Sequence, residues 1–91
     1  MAIIPDAQVD AALSATQWRR DDKEIVRTVQ RGDFAEALAF VNAVGGIAEE
    51  ANHHPDIDIR WNTVTLRLST HSEGGITEAD LALAQEIDEV A

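Results

Sequence analysis

The sequence predicts an α+β fold in which helices cover one face of a sheet. Three observations predict it. Apolar residues recur at helical spacing in separated stretches, they alternate with polar residues in others, and turn-forming residues stand between them. The order is helix, two strands, helix, two strands, helix, within one domain over residues 1–91.

Ile4, Pro5 and Asp6 open the first helix, since proline suits a first helical turn, and Val9, Ala12 and Leu13 share a face that ends near Ser14. Residues 18–20 and 24–30 read as strands about a turn at Asp21 and Asp22, the second rich in β-branched Ile25, Val26, Thr28 and Val29. Asp33 is the natural N-cap of the next helix, whose apolar positions are Phe34, Ala37, Leu38, Val41, Val44, Ala48 and Ala51. Gly45 and Gly46 interrupt it, at about 1 kcal/mol each relative to alanine, which predicts a compensating close approach of a neighbour or a mild kink. Pro55 limits this helix by turning His54 away from the α region. Ile57, Ile59 and Trp61 then alternate with Asp56, Asp58 and Arg60, and beyond a turn near Asn62 the residues Val64, Leu66 and Leu68 alternate with Thr63, Thr65, Arg67 and Ser69, which reads as an antiparallel hairpin. After a loop at 72–75, Thr77 and Asp80 have capping-box spacing with Ile76 and Leu81 as a hydrophobic staple, and the last helix runs to about Val90.

A chain of 91 residues buries only about 60 to 65 per cent of its unfolded surface, so its core is thin and self-association is expected. The net charge of −10, from 17 acids against 7 bases, repels phosphate backbones and anionic lipid, so neither nucleic acid nor membrane is an expected partner. There are no cysteines, which excludes disulfides, thiolate metal sites and thiol nucleophiles. Residues 1–5 lack the basic and apolar run of a signal peptide, and the expected location is the cytoplasm.

All 3 histidines, His53, His54 and His71, fall where the chain leaves a helix and returns through a hairpin, a path that can bring them to one sheet edge. Imidazole both donates and accepts protons near neutral pH, so the cluster points to acid–base chemistry. Two plainer readings stand beside this. Adjacent histidines before a proline also suit a helix end, near its negative dipole. A metal site is disfavoured, because sequence neighbours point in different directions and Glu49, Glu50, Asp56 and Asp58 lack a zincin spacing. Taken alone, Thr77 and Asp80 only cap a helix, and Trp61 is core.

Glu49, His53, His54, Pro55, Trp61, His71 and Asp80, with DFAEALAFVNAV before them, TVTLRLSTH among them and GGITEADLALAQEID at the end, resemble the pterin-4a-carbinolamine dehydratases over roughly residues 18–90. The resemblance implies a four-stranded antiparallel sheet with three helices packed on one face, assembled as a homodimer or homotetramer. It implies dehydration of 4a-hydroxytetrahydropterin to quinonoid dihydropterin without a cofactor or metal, in the recycling that follows an aromatic amino acid hydroxylase. His53 and His71 are then the acid and base, and His54 holds the pterin. Ser69 and Thr70 supply backbone and hydroxyl contacts to its ring, Glu49 or Asp80 orients a histidine, and Pro55 and Trp61 shape the site. Asp80 is not expected to be catalytic. The same fold also implies an alternative, since relatives serve as a dimerisation cofactor of a transcription factor or as carboxylase assembly factors; the intact histidine set favours the enzyme.

Overall fold

The structure is a computed structural model and describes residues 2–91. Its elements are α1 (Asp6–Leu13), β1 (Arg19–Asp21), β2 (Glu24–Gln30), α2 (Phe34–Ala51), β3 (Asp56–Arg60), β4 (Thr63–Leu68) and α3 (Glu78–Asp88), in the predicted order. Strand β1 starts one residue later than the sequence implied. Trp18 instead buries its ring in the core and donates its indole N–H to Asp88 at 2.7 Å.

All strand pairs are antiparallel and the sheet order is β1-β2-β4-β3, so the two hairpins join through β2 and β4. Register sets Ile25 opposite Leu68, Val29 opposite Val64 and Ile57 opposite Leu66. With a side-chain period of 2, these residues fall on one face. Val9 and Leu13 of α1, Ala37, Phe40 and Val44 of α2, and Leu83, Ala84 and Ile87 of α3 pack with that face in one cluster. Each such Val, Leu, Ile or Phe contributes about 1.5–3 kcal/mol on burial. Asp58, Arg60, Thr63, Thr65 and Arg67 line the uncovered face, which is why it can meet water.

Two expectations about α2 are corrected. Phe34 and Leu38 are 43% and 42% exposed, whereas Phe40 is 4% exposed and takes the core position. The helix is apolar on more than one side, and spacing alone could not choose the buried stripe. Gly45 and Gly46 lie in open space, where an added Cβ would meet no atom within 4 Å, so close packing inside the chain does not explain them. The helix runs unbroken through both.

The topology gathers four chain ends at one end of the sheet. Helix α2 stops just before β3, whose first residue Asp56 pairs with Arg67 near the end of β4. Beyond β4, Thr70 and Gly75 form an isolated bridge that leads straight into α3.

Candidate active site

Asn52 ends α2 by turning left-handed at φ 50° and ψ 41°, and the His53 N–H donates back to the Ala48 carbonyl at 3.2 Å. This Schellman closure, with Pro55 shortly after it, turns the chain sharply and aims His53 inward. Its side chain is 18% exposed, against 55% for His54.

On the other side of the site, the Thr77 hydroxyl accepts from the Ala79 N–H at 3.2 Å and from the Asp80 N–H, and the Asp80 carboxylate accepts from the Thr77 N–H at 2.9 Å, which completes the expected capping box. Asp80 does more than cap. It is 0% exposed, and its Oδ1 lies 2.5 Å from Nε2 of His53 while Oδ2 accepts from the Thr70 hydroxyl at 2.8 Å. A buried carboxylate must be hydrogen-bonded or the fold loses several kcal/mol, and three donors surround this one. A carboxylate is acceptor-only, so Nε2 of His53 donates to it, and in the neutral ring Nδ1 is the nitrogen without a proton.

The Glu49 carboxylate, in the last turn of α2, accepts from Nε2 of His54. That pairing offsets the unfavourable position of an acid at a helix C-terminus. Both histidines are thus tied at Nε2 to a carboxylate, one buried and one in water.

His71 follows Thr70 directly, in a tight loop closed by the Thr70 N–H to the Gly75 carbonyl at 2.8 Å. Gly74 makes the loop possible at φ 76°, a conformation that side chains disfavour. His71 is exposed, and among the described residues its ring makes no hydrogen bond. Thr70 is thus its chain neighbour and at the same time a ligand of the carboxylate that holds His53.

Several expected site residues stand differently. The Ser69 hydroxyl donates to the Lys23 carbonyl at 2.9 Å, fastening β4 to the β1–β2 turn, and the Thr70 hydroxyl is engaged by Asp80 and Thr77, so both face protein partners. Pro55 is half-buried between His54 and β3. Trp61 is not core: it is 65% exposed in the turn between β3 and β4, at φ 53°. At roughly 3.3 Å per residue along β3 it stands about 20 Å from His54, so it does not shape its own chain's histidine site. Thr77, read from sequence only as a cap, is the residue whose place in the site was missed. Its signal was indistinguishable from an ordinary N-cap.

Among the described residues no group of three His, Asp or Glu side chains is placed to hold a metal ion, and no helix is long and apolar enough to cross a membrane.

The fold and site define a small α+β protein with a carboxylate-held histidine at the sheet edge. The sequence profile of the family described as "Pterin 4 alpha carbinolamine dehydratase" matches residues 3–90, and the chain belongs to that family. A relative from Nocardia farcinica (strain IFM 10152) is 52% identical over 98% of this chain and 95% of its own length. One from Thermomicrobium roseum is 50% identical over 100% and 99%. Both carry the name "Putative pterin-4-alpha-carbinolamine dehydratase". The crystal structure of a transcriptional coactivator/pterin dehydratase from Brucella melitensis superposes with a TM-score of 0.92 at 31% identity, covering 99% of each chain. A pterin dehydratase-like protein identified as a RuBisCO assembly factor in the alpha-carboxysome superposes at 0.70 with 26% identity, covering 85% of this chain and 92% of its own.

Proposed function

We propose that this protein dehydrates 4a-hydroxytetrahydropterin to quinonoid dihydropterin, in the cytoplasm and in the service of an aromatic amino acid hydroxylase. The observation that carries the reading is the buried Asp80 carboxylate fixing Nε2 of His53, on a chain whose family is the dehydratases.

The elimination breaks the N5–H bond, uses its electron pair to form the N5=C4a double bond, and expels the C4a hydroxyl as water once that oxygen has been protonated. One base and one acid suffice. Nδ1 of His53, the nitrogen without a proton in the neutral Nε2–H ring, takes the N5 proton. His71, whose ring makes no hydrogen bond among the described residues, protonates the departing hydroxyl. His54, tethered to Glu49 at Nε2, keeps Nδ1 to hydrogen-bond the pterin ring. No cofactor enters the balance.

The chain works as a homodimer or homotetramer. Support comes from the exposed Phe34 and Leu38 on one side of α2, from the open glycines of the same helix, and from the exposed Ile57 on edge strand β3. Light scattering should give two or four times the chain mass of 9.9 kDa; a monomer at micromolar concentration would refute the assembly.

The test of the reaction is the decay of synthetic 4a-hydroxytetrahydropterin absorbance. The wild-type protein should accelerate it well beyond the spontaneous rate, and His71→Ala should lower that acceleration at least about tenfold, the lower end of what a positioned acid contributes. The second reading, a protein-binding assembly module, takes its support from the RuBisCO assembly factor on the same fold. It predicts no acceleration by either protein.

A further inference from the structure

The dehydration needs His53 in one tautomer, and the residues that set it extend beyond the carboxylate it touches. Thr77 is 0% exposed, and its hydroxyl lies 2.8 Å from the Thr70 hydroxyl, which lies 2.8 Å from Oδ2 of Asp80. The direction of this chain follows from what each oxygen already does. The Thr77 hydroxyl oxygen accepts from the Ala79 N–H. Asp80 can only accept, so the Thr70 hydroxyl spends its single proton on Oδ2 and its oxygen receives the proton of Thr77.

We propose that Thr77 and Thr70 form a hydroxyl relay that runs from the N-terminus of α3 to Asp80 and positions His53 in the Nε2–H tautomer. Two effects combine. The donors on Oδ2 occupy that oxygen as an acceptor, and Oδ1, an acceptor likewise, takes the Nε2–H of His53. The same donors also fix the carboxyl plane, so that Oδ1 stays aimed at the ring. Hydrogen bonds in such a chain polarise one another in a low-dielectric setting, and the relay therefore acts as a unit. Thr70 and Thr77 are positioning residues, because both reach the reaction only through Asp80 and His53.

The claim about the tautomer rests on geometry alone, whereas its catalytic consequence rests on the dehydratase reading. The experiment therefore has two readouts. The first is the ¹⁵N spectrum of the His53 ring in intact wild-type protein, in Thr70→Val, which keeps the shape and removes the hydroxyl, and in Thr70→Ser, which restores it. Wild type and Thr70→Ser should show the Nε2–H form alone, and Thr70→Val should show an added Nδ1–H population. The second is turnover of 4a-hydroxytetrahydropterin. Thr70→Val should lose about tenfold in kcat with KM unchanged, the rate equivalent of one hydrogen bond to a charged group. Thr70→Ala, which has no γ atoms, repeats both readouts should the valine disturb folding.

An unchanged tautomer in both hydroxyl-free variants would overturn the relay, whatever happens to the rate. A rise in KM with an unchanged tautomer would likewise overturn it and make Thr70 a substrate contact. Absence of turnover in the wild type would sink the dehydratase reading and leave the tautomer test standing.

Discussion

An Asp80→Asn variant is expected to stay folded and to lose about 10²- to 10⁴-fold in dehydration rate, the range that belongs to a misprotonated acid–base histidine. The substitution changes almost no volume, but it replaces one acceptor of the buried carboxylate with a donor. The amide has two orientations. With Nδ2 turned toward Thr70 and Thr77, it meets a backbone N–H that has lost its acceptor, at about 1–3 kcal/mol. With Nδ2 turned toward His53, no donor is stranded, provided that the ring accepts at Nε2 and carries its proton on Nδ1. The second arrangement is therefore favoured, and it places a proton on the nitrogen that has to take one. Urea denaturation and steady-state rates together check this outcome. A variant that keeps its rate would show that Asp80 is only a cap.

Replacing His53 has the next largest effect. His53→Ala should lower the rate by about 10²- to 10⁴-fold, as removal of the base, and should also destabilise the fold by about 1.5–3 kcal/mol, because Asp80 loses a charged hydrogen bond while remaining buried. His53→Gln separates the two. Glutamine can offer Asp80 an N–H, which restores much of the stability, but it has no titrating nitrogen, so activity stays lost. Recovery of rate with glutamine would mean that His53 only props up the carboxylate.

The periodic elements were legible because each carries its own local signal. The alternation of Val64, Leu66 and Leu68 and the Thr77–Asp80 cap are present in short stretches of sequence, and they reappear as β4 and the start of α3. The pairing of β2 with β4 has no local signal, since it joins residues far apart in the chain. Trp61 misled for a related reason. It extends the alternation of Ile57 and Ile59 by one more step, whereas the chain turns at that residue and leaves the ring in water.

At the site, the histidines were visible as residue types capable of the chemistry. The residues alone did not divide the work among them; only the resemblance assigned acid and base to His53 and His71 and the pterin to His54. The partner of His53 lies 27 residues away, and its local role as a cap was a complete explanation by itself. Serine and threonine hydroxyls are still less legible, because nothing in the sequence distinguishes a Thr77 that caps from one that also passes a proton's direction inward. The buried network around Asp80 exists only once α2, β4 and α3 converge.

On the proposed function, this chain eliminates water from a pterin carbinolamine using His53 held by Asp80. Stopped-flow decay of synthetic 4a-hydroxytetrahydropterin, with wild-type protein and Asp80→Asn run side by side against the protein-free reaction, tests it most directly. The wild-type rate should lie far above the spontaneous one, and the rate of the variant close to it. Wild-type decay no faster than the protein-free reaction would contradict it.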